Sequence, residues 1–539
     1  MLRMAGFKAE FALASILRGR DNARVSLSQH SWFLPRVPGE IDSRSATNSA
    51  ENGSAGDHEA IMNTRTIHWF LLPALFAGLG LLLPGRVTAQ TFTTLHICTG
   101  ATDDAGNPQA GLILSGTTLY GTANGGGVGA GGLFVISSDG TGFRMLYDFA
   151  GVPVSGGDGA NPQGGLILSG TTLYGTANGG GSSANAGTVF AVNTNGTGFI
   201  VLHAFAGYPN DGGHPTDRLI LSGNTLYGTT YRGGSLRAGT VFKVDTDGTN
   251  YTILHILASS SDGSNPRAGL ILSGNTLYGT TTSGGTANNG TVFAMNTNGT
   301  GFTNLHNFTA LSNSTNSDGV GPQADLILVG NTLYGTAVIG GSSGNGTVFA
   351  VNTNGTGFTN LHSFTAVGTN SSGVYTNGDG ANPQAGLILW SNTLYGTASV
   401  GGSSGNGTVF AINTNGTGFT NLHSFTGGSG GADPYAGLIL SGDTLYGTTA
   451  GSSTANGTVF SLSLGSVSVS APQLAIILSK ANVILTWPTN AAGFTLQSAT
   501  ELGSSAVWTT NSPGPVVVNG QNTVTNPISG TKQFFRLRQ

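Results

Sequence analysis

The sequence predicts an all-β fold built from tandem repeats, and three observations carry that prediction. The tetrapeptide Leu-Tyr-Gly-Thr recurs seven times at spacings of 51 to 61 residues, with its tyrosines at Tyr120, Tyr174, Tyr227, Tyr278, Tyr334, Tyr395 and Tyr446. Each copy contains four short runs that are rich in β-branched and aromatic residues and bounded by Gly, Asn, Ser and Pro. No copy shows a sustained helical period. A period of this size is typical of solenoids, arrays and propellers.

The four runs of one unit are predicted to form an antiparallel meander. Representative copies are Ala-Gly-Leu-Ile-Leu at 385–389, Asn-Thr-Leu-Tyr-Gly-Thr at 331–336, Gly-Thr-Val-Phe-Ala-Val at 346–351 and Gly-Phe-Thr-Asn-Leu-His-Ser-Phe at 357–364. Because the first run is continuously apolar, we expect a strand buried on both faces. Asn-Gly or Asp-Gly joins the third and fourth runs in six units, and these dipeptides favour hairpin turns. A four-stranded unit of this length matches a propeller blade.

The two ends of the array complement each other. Residues 92–96 are a copy of the fourth run that precedes any copy of the first three, while residues 436–462 contain the first three runs without the fourth. Together they make one complete unit, which favours a ring over an open solenoid with whole capping repeats. The sequence therefore predicts a seven-bladed β-propeller of four-stranded antiparallel blades over residues 90–464, closed by the N-terminal strand.

The segment before the repeats contains a predicted signal peptide. Residues 62–89 have a basic start, an apolar core over 69–83 and Val87-Thr88-Ala89 before the expected cleavage. We interpret residues 1–61, which carry neither repeat nor β alternation, as disordered or as an untranslated upstream extension, with the true start at Met62. The alternative is an N-terminal membrane anchor, although the apolar run is short and interrupted by Pro73. We expect a secreted or surface location and no stable membrane span in the mature chain.

A second module is predicted after a linker at residues 465–472. Residues 473–539 contain six or seven short alternating runs with turn signals between them, which indicates a small β-sandwich. The order Leu-Thr-Trp487, Phe494-Thr-Leu-Gln-Ser and Phe535-Arg-Leu-Arg resembles a fibronectin type III module. We expect Trp487 to anchor its core.

The charge of the repeats excludes one class of partner. Residues 91–464 carry one lysine, five arginines, fifteen aspartates and no glutamate, a net charge of −9. Nucleic-acid binding through a basic face is not expected. Cys98 is the only cysteine, so no disulfide can form within the chain, and we expect a buried small apolar residue there.

Two sets of polar residues recur once per unit. Histidines recur in the fourth run at His96, His203, His255, His306, His362 and His423, and Tyr147 replaces one of them. Residues spaced one per blade do not converge as metal ligands must, so we predict a structural hydrogen bond between blades. Candidate ligand-loop aspartates are Asp104, Asp158, Asp211, Asp262, Asp318 and Asp379, mostly in Asp-Gly-x-x-Pro. A turn aspartate that bonds its own backbone is one interpretation, and calcium binding is the other. The repeated tyrosines are expected to pack.

Leu-Tyr-Gly-Thr, Gly-Gly, Gly-Thr-Val-Phe and the Asn-Gly-x-Gly-Phe turn together resemble the GloVer tandem-repeat family of secreted bacterial proteins, over about residues 91–464. The resemblance implies export, with repeats followed by variable sorting or anchoring segments. It implies no activity.

Two function classes follow from the sequence. The first is a secreted or surface binding and scaffolding protein whose loops meet a glycan or protein partner. The second is a secreted hydrolase or lyase with an active site at the axial mouth of the propeller. No Ser-His-Asp set, paired glutamates, phosphate loop or Cys/His cluster is present, so no catalytic residue, metal site or cofactor is predicted. The near-identity of the units also weighs against catalysis.

Overall fold

The computed structural model describes residues 90–127, 129–150, 157–451, 456–465, 474–479, 482–488, 495–500, 507–510, 514–518, 521–527 and 533–538. The predicted signal peptide, residues 1–61 and most of the predicted linker lie outside these ranges. All described residues belong to one compact unit, residues 82–539. Within them the only helical element is a 3₁₀ turn at Gly428–Gly430, so the all-β prediction is confirmed and no described helix could cross a membrane.

The repeats form four-stranded antiparallel sheets, as predicted. The described part of the repeats contains seven such sheets. We number these sheets 1 to 7 along the chain and their strands first to fourth. Sheet 1 contains Ile113–Ser115, Thr118–Ala123, Gly132–Ser137 and Arg144–Asp148; sheet 2 contains Ile167–Ser169, Thr172–Ala177, Thr188–Asn193 and Ile200–Ala204; sheet 3 contains Ile220–Ser222, Thr225–Thr230, Thr240–Asp245 and Thr252–Ile256; sheet 4 contains Ile271–Ser273, Thr276–Thr281, Thr291–Asn296 and Thr303–Asn307; sheet 5 contains Ile327–Val329, Thr332–Ala337, Thr347–Asn352 and Thr359–Ser363; sheet 6 contains Ile388–Trp390, Thr393–Ala398, Thr408–Asn413 and Thr420–Ser424; sheet 7 contains Ile439–Ser441, Thr444–Thr449, Thr458–Ser463 and Thr91–Ile97.

Sheet 7 takes its fourth strand from the start of the described chain. Thr91 pairs with Ser463 and Ile97 pairs with Thr458, with an irregularity in the register between Thr94 and His96. The pairing of residues 92–96 with the last Gly-Thr-Val-Phe strand is therefore the one that the sequence predicts. Sheet 7 therefore combines three strands from the end of the repeat array with one strand from its start.

The first strand of each sheet is shorter than predicted. The sequence predicts a strand over residues 385–389, whereas the strand is Ile388–Trp390. The Ala385 carbonyl instead accepts a hydrogen bond from the Thr336 hydroxyl of the preceding sheet, at 3.2 Å. The first residues of the apolar run are therefore buried between two sheets, and only its last residues pair with the neighbouring strand.

The glycine of Leu-Tyr-Gly-Thr makes room for a phenylalanine of the next strand. Gly335 pairs with Phe349, and a Cβ placed on Gly335 would lie 2.7 Å from Cζ of that ring. The corresponding distance in the seven sheets is 2.3 to 2.7 Å, and each of these phenylalanines is 0% exposed. Real Cβ atoms do not approach other atoms this closely, so the two motifs specify each other.

The threonine of Leu-Tyr-Gly-Thr connects each sheet to the next. Its buried hydroxyl donates to a backbone carbonyl in the segment that leads into the following sheet. The seven bonds are Thr122 to Gly164, Thr176 to Asp217, Thr229 to Ala268, Thr280 to Ala324, Thr336 to Ala385, Thr397 to Ala436 and Thr448 to Ala110, at 3.0 to 3.5 Å. The last of them joins sheet 7 to the segment before sheet 1, so the series is cyclic.

Short two-stranded ladders also involve the connections between sheets. They pair Ala105–Gly106 with Gly125–Gly126, Gly212–Gly213 with Arg232–Gly233, and Gly368–Thr369 with Tyr375–Thr376. The second of these holds the chain before sheet 3 against a loop within sheet 3.

The C-terminal part contains two further sheets. One has Ala475–Ser479, Asn482–Pro488, Gln521–Pro527 and Val516–Val518, and the other has Thr509–Thr510, Thr495–Ala499 and Phe534–Arg538. Leu485, Trp487, Leu496 and Val524 form their shared core, and Trp487 is 1% exposed. The strands and the buried tryptophan agree with the predicted β-sandwich, and the likeness to fibronectin type III stays a prediction.

Candidate functional site

A cavity of about 450 Å³ is lined by residues from the approach segments of all seven sheets. Each approach segment begins after the proline of Asp-Gly-x-x-Pro or its variant. The residues that directly follow this proline all line the cavity, and they are Gln109, Gln163, Thr216, Arg267, Gln323, Gln384 and Tyr435. One polar side chain from every repeat therefore meets in one space, which is where we place the candidate site.

The third residue after each proline brings neighbouring backbones together around the cavity. It is glycine in five repeats, where a Cβ on Gly111 would lie 3.3 Å from the Gly437 carbonyl oxygen and one on Gly386 would lie 3.4 Å from the Asp325 carbonyl oxygen. In the other two repeats this position is Arg218 or Asp325. Arg218 and Asp325 are therefore the two charged residues at a position that is glycine in the other five repeats.

Arg218 and Asp325 form a salt bridge across the approach segment of sheet 4. The Arg218 Nε lies against one carboxylate oxygen of Asp325, and the Gly269 N–H donates to the other at 2.6 Å. The Asp325 side chain is 14% exposed and that of Arg218 is 47% exposed. The exposed part of Arg218 faces the cavity, which Arg218 lines. The carboxylate is fixed and the guanidinium offers a surface to a ligand.

Asp217 adds a second carboxyl beside this pair. Its Oδ1 accepts a hydrogen bond from the Arg218 N–H at 2.6 Å. Burial, and then the negative charge of Asp325, raise the pKa of Asp217 well above its ordinary value. The protonated form of Asp217 therefore persists to a higher pH than that of an exposed aspartate, next to a carboxylate that is paired with arginine.

The recurrent histidines and aspartates, which the sequence suggested as separate sets, meet in pairs. The Nε2 atom lies 2.8 to 3.0 Å from a carboxylate oxygen in His96–Asp104, His203–Asp211, His255–Asp262, His306–Asp318 and His362–Asp379. Each pair joins the fourth strand of a sheet to the connection that follows it. The described residues hold no group of three or more His, Cys, Asp or Glu side chains placed to bind a metal ion.

These histidine rings also stack on the next sheet. The ring of His306 lies 3.7 Å from that of Phe358, with 9° between the planes. The other stacked pairs are His96–Phe143, Tyr147–Phe199, His203–Tyr251, His255–Phe302, His362–Phe419 and His423–Phe92. In each of the seven stacks, as in each threonine hydrogen bond, a residue of one sheet contacts the sheet that follows it in the numbering, and sheet 7 contacts sheet 1.

Two repeats depart from the histidine–aspartate pattern. Tyr147 replaces histidine and donates its hydroxyl to Asp158 at 2.7 Å, so that aspartate keeps a partner. His423 Nε2 is buried without a hydrogen-bond partner among the described residues, because Gly430 stands where the other repeats carry the aspartate. Burial lowers the pKa of His423.

The paired carboxylates have little capacity left for a ligand. Asp104 accepts hydrogen bonds from the Ala105 N–H, the Thr99 N–H and the Thr99 hydroxyl, in addition to its contact with His96. For Asp211, burial raises the pKa, but hydrogen bonds from the His203 side chain and other donors outweigh it and leave the pKa below its ordinary value. Asp104 and Asp211 each also accept a hydrogen bond from the N–H of the following residue, which is the contact that the turn interpretation predicts.

The tyrosines of Leu-Tyr-Gly-Thr lie in the apolar layer between sheets. Tyr334 packs in a cluster with Leu387 and Phe410 of the next sheet. Six of the seven tyrosines are 8% exposed, and Tyr446 is half-buried. None of the seven tyrosines lines the cavity described above.

The comparison with protein families identifies the repeats. The family model described as Gloeobacter/Verrucomicrobia repeat matches residues 77–236, 237–377 and 371–473. The chain belongs to the Gloeobacter/Verrucomicrobia repeat family. This confirms the resemblance drawn from the Leu-Tyr-Gly-Thr and Gly-Thr-Val-Phe motifs. A comparison of the sequence with curated proteins finds no match.

Several solved structures are similar to this Gloeobacter/Verrucomicrobia repeat protein. The GH74 xyloglucanase from Xanthomonas campestris is 12% identical with a TM-score of 0.47, over 74% of this chain and 60% of that one. Oligogalacturonate lyase from Vibrio parahaemolyticus is 10% identical with a TM-score of 0.43, over 70% and 98%. A 6-phosphogluconolactonase homologue from Bacteroides uniformis is 12% identical with a TM-score of 0.39, over 78% and 98%. Likenesses this low do not bear on what this chain binds or cleaves.

The charged residues of the cavity were missed by sequence reasoning. Asp217, Arg218, Arg267 and Asp325 were counted only in the net charge. A usable signal was present, since Pro-Gln-Ala-Gly recurs in the Gloeobacter/Verrucomicrobia repeats of this chain and these residues break it. These residues are far apart along the chain and meet only where the approach segments line one cavity, which is why the motif alone did not point to them.

Proposed function

We propose that the chain is an exported, seven-bladed β-propeller that binds a glycan in the axial cavity and acts as a binding and scaffolding module. The observation that carries the proposal is the cavity itself, where one polar side chain from every repeat converges. The repeats are otherwise nearly alike, and they differ most in charge and size at this point. The predicted signal peptide at residues 62–89 supports export.

Three cyclic sets of contacts support a closed propeller. The hydroxyl of Thr448 donates to the Ala110 carbonyl, His96 stacks on Phe143, and the glycine backbones at 111 and 437 are adjacent. Each repeats, between the last and first units, the contact that joins any other neighbouring pair. On this view the seven sheets are blades and the approach segments line the axis.

The cavity lining suits a carbohydrate. Side-chain amides both donate and accept hydrogen bonds, so they can satisfy sugar hydroxyls in either role. Gln163 and Gln323 have no hydrogen-bond partner among the described residues, which leaves their amides available. Tyr435 adds an aromatic face and Arg218 adds further donors. Ligand pockets commonly combine convergent polar groups in this way.

The test is binding by the mature chain, beginning at Gln90, to a glycan array followed by calorimetry on the best ligand. Tyr435→Ala and Gln323→Ala remove cavity groups, and each should weaken binding by about tenfold, equivalent to about 1.4 kcal/mol. Tyr375→Ala is the matched control, since Tyr375 is 66% exposed on the Gly368–Thr369 ladder and does not line the cavity. Equal affinity of all these variants and the wild type would refute an axial site.

A second candidate function is a secreted hydrolase or lyase that acts at the same cavity. The feature that favours it is the Asp217 carboxyl group beside the arginine-paired Asp325, because burial raises the pKa of Asp217 and a general acid must keep its proton at the working pH. The test is release of new chain ends from a bound glycan. Turnover that is lost in Asp217→Asn while binding persists would favour the enzyme, whereas binding without cleavage by the wild type would reject it.

A further inference from the structure

A second cleft, of about 240 Å³, opens beside the axial cavity and concentrates the positive charge of the repeats. Gln163, Thr216 and Arg267 line both spaces, and Asn178, His214, Tyr231 and Arg232 complete the second. None of its seven lining residues is acidic. Four of the five arginines in residues 91–464 lie between positions 218 and 267, in an array whose net charge is −9. Most arginines of the repeats therefore lie in one part of the array, and two of them line this cleft.

The two arginines of the cleft share one aromatic ring. The guanidinium carbon of Arg267 lies 4.8 Å from the centroid of Tyr231, and that of Arg232 lies 5.5 Å from it. These are cation–π distances, so both charges are held close to the same ring. Neither arginine forms a salt bridge among the described residues, and both are exposed. Two unpaired guanidinium groups at one ring repel each other, and an anion between them would relieve that repulsion.

His214 and Asn178 supply further polar groups at the same place. His214 Nδ1 lies 3.1 Å from the Asn178 carbonyl oxygen, which can only accept, so the proton is on Nδ1. Its Nε2 has no hydrogen-bond partner among the described residues. The Thr216 hydroxyl donates to the Arg267 carbonyl at 3.1 Å and ties the two approach segments together. The cleft is therefore a connected part of the fold.

The cleft is built from departures from the repeat. Where the other repeats carry Asn, Asp or Gly before the proline, sheet 3 carries His214, and Tyr231-Arg232 stands where the other repeats carry uncharged, non-aromatic residues. Arg267 replaces the recurrent glutamine after the next proline. These substitutions are distant in sequence and meet in a single cleft. A purely structural role would not require all of them together.

We infer that this cleft binds the carboxylate of an acidic sugar unit, so that the ligand of the axial cavity is an acidic oligosaccharide. Paired arginines match a planar carboxylate, because each guanidinium presents several N–H donors in a fixed fork. Gln163 and Thr216 line both spaces, so one oligosaccharide can occupy the cavity and the cleft at once. This inference rests on the proposed glycan-binding function and specifies its substrate class.

The experiment compares three ligands by calorimetry: a hexuronic acid tetrasaccharide, its methyl ester and inorganic sulfate. The proteins are the wild type, the double variant Arg232→Gln/Arg267→Gln and the control Arg144→Gln, whose arginine is exposed on the fourth strand of sheet 1. We expect the wild type and the control to bind the acid at least about tenfold more tightly than the ester, a preference that falls with added salt. The double variant should bind the acid and the ester equally, with an unchanged melting temperature.

The outcomes separate this inference from the proposed function. Equal binding of acid and ester by the wild type, with loss of both in Tyr435→Ala, would overturn the carboxylate site and leave the axial glycan site standing. An acid preference that survives in Arg232→Gln/Arg267→Gln would also overturn it, as would sulfate binding as tight as that of the acid. No binding of either oligosaccharide would overturn both proposals. An acid preference that is lost in the double variant, together with an acid affinity that Tyr435→Ala leaves unchanged, would support the cleft and refute the axial site.

Discussion

The imidazole of His423 stacks on the phenyl ring of Phe92, with the ring centroids 3.9 Å apart and the planes 4° from parallel. The two residues lie at opposite ends of the repeat array. Phe92 also contacts Phe460 at 5.5 Å and Phe425 at 5.8 Å, so it fills the layer between sheets 6 and 7. The N-terminal strand therefore contributes an aromatic anchor as well as backbone pairing to the last sheet.

Phe92→Ala should destabilise the array as a core substitution would. We expect a loss of about 2–3 kcal/mol, below the range for a fully buried phenylalanine because Phe92 is half-buried. Thr93→Ala is the control, since Thr93 is exposed on the same strand. Denaturant unfolding and size-exclusion profiles of the mature chain measure the effect. If both variants unfold alike, Phe92 does not anchor the closure.

Gly335→Ala should destabilise sheet 5 by overpacking. The added methyl group would meet Phe349 Cζ at 2.7 Å and Leu326 Cδ2 at 2.8 Å, and such insertions cost about 1–3 kcal/mol. Gly368→Ala is the control, because no atom lies within 4 Å of its Cβ position. Adding Phe349→Leu to Gly335→Ala should cost less than the sum of the two single changes. Strict additivity in denaturant unfolding would contradict the proposed contact.

Gly430→Asp should give His423 the partner that it lacks. A Cβ at this position would approach the Thr426 hydroxyl at 2.1 Å, so that side chain must rotate. The hydroxyl of Thr309, at the corresponding place, donates to Asp318. We expect a gain of about 0.5–1.5 kcal/mol from the new hydrogen bond. The gain should vanish in a His423→Gln background, and its persistence there would show that it arises elsewhere.

The benefit of Gly430→Asp should depend on pH. Burial lowers the pKa of His423, so the stability that its neutral form contributes is present above the unfolded pKa, about 6.5, and is lost as pH falls towards the folded value. A neighbouring carboxylate stabilises the charged imidazole and removes this loss. Melting curves at pH 7 and pH 5 should therefore show the larger gain at pH 5. An equal gain at both values would contradict the role of His423.

Asp318→Asn should weaken the join between sheets 4 and 5. Burial raises the pKa of Asp318, but hydrogen bonds from His306 and Thr309 outweigh it and the pKa lies below its ordinary value. The ionised form therefore contributes stability above the unfolded pKa, about 3.9, and the contribution is lost as pH falls through the folded value. We expect a cost of roughly 1.5–3 kcal/mol at pH 7 and a smaller one below about pH 4.

Denaturant unfolding at pH 7, 5 and 3 checks this prediction. Asp103→Asn is the matched control, because Asp103 is exposed in the same kind of connection. A pH-independent cost for Asp318→Asn would indicate lost packing in place of a lost charge.

The repeat unit and its closure could be predicted from the sequence because both follow from local patterns. Period, Asn-Gly turns and the split fourth strand are all visible without coordinates. The length of the first strand was overestimated, because the Ala385 carbonyl bonds to Thr336 of another sheet and no local pattern reveals that contact. The histidines and aspartates were recognised, but their pairing was not. The intervals from His255 to Asp262 and from His362 to Asp379 are 7 and 17 residues, so spacing gives no sign of contact.

The axial residues could not be assigned from the sequence for a different reason. Arg218 and Asp325 belong to repeats that are not adjacent along the chain, and they meet across the approach segment of sheet 4. A residue that breaks a repeat is visible in the sequence, but its neighbours depend on the curvature of the whole array.

The hydrogen bond from Thr448 to the Ala110 carbonyl makes the last sheet the neighbour of the first in the same way as any two consecutive sheets. The contacts between sheets therefore do not single out one sheet as the first. A circular permutant that joins the ends of the array and opens it in the exposed hairpin at Gly368–Thr369 and Tyr375–Thr376 would keep every contact between sheets. The order in which the gene encodes the seven sheets is one of several that specify the same set of neighbours.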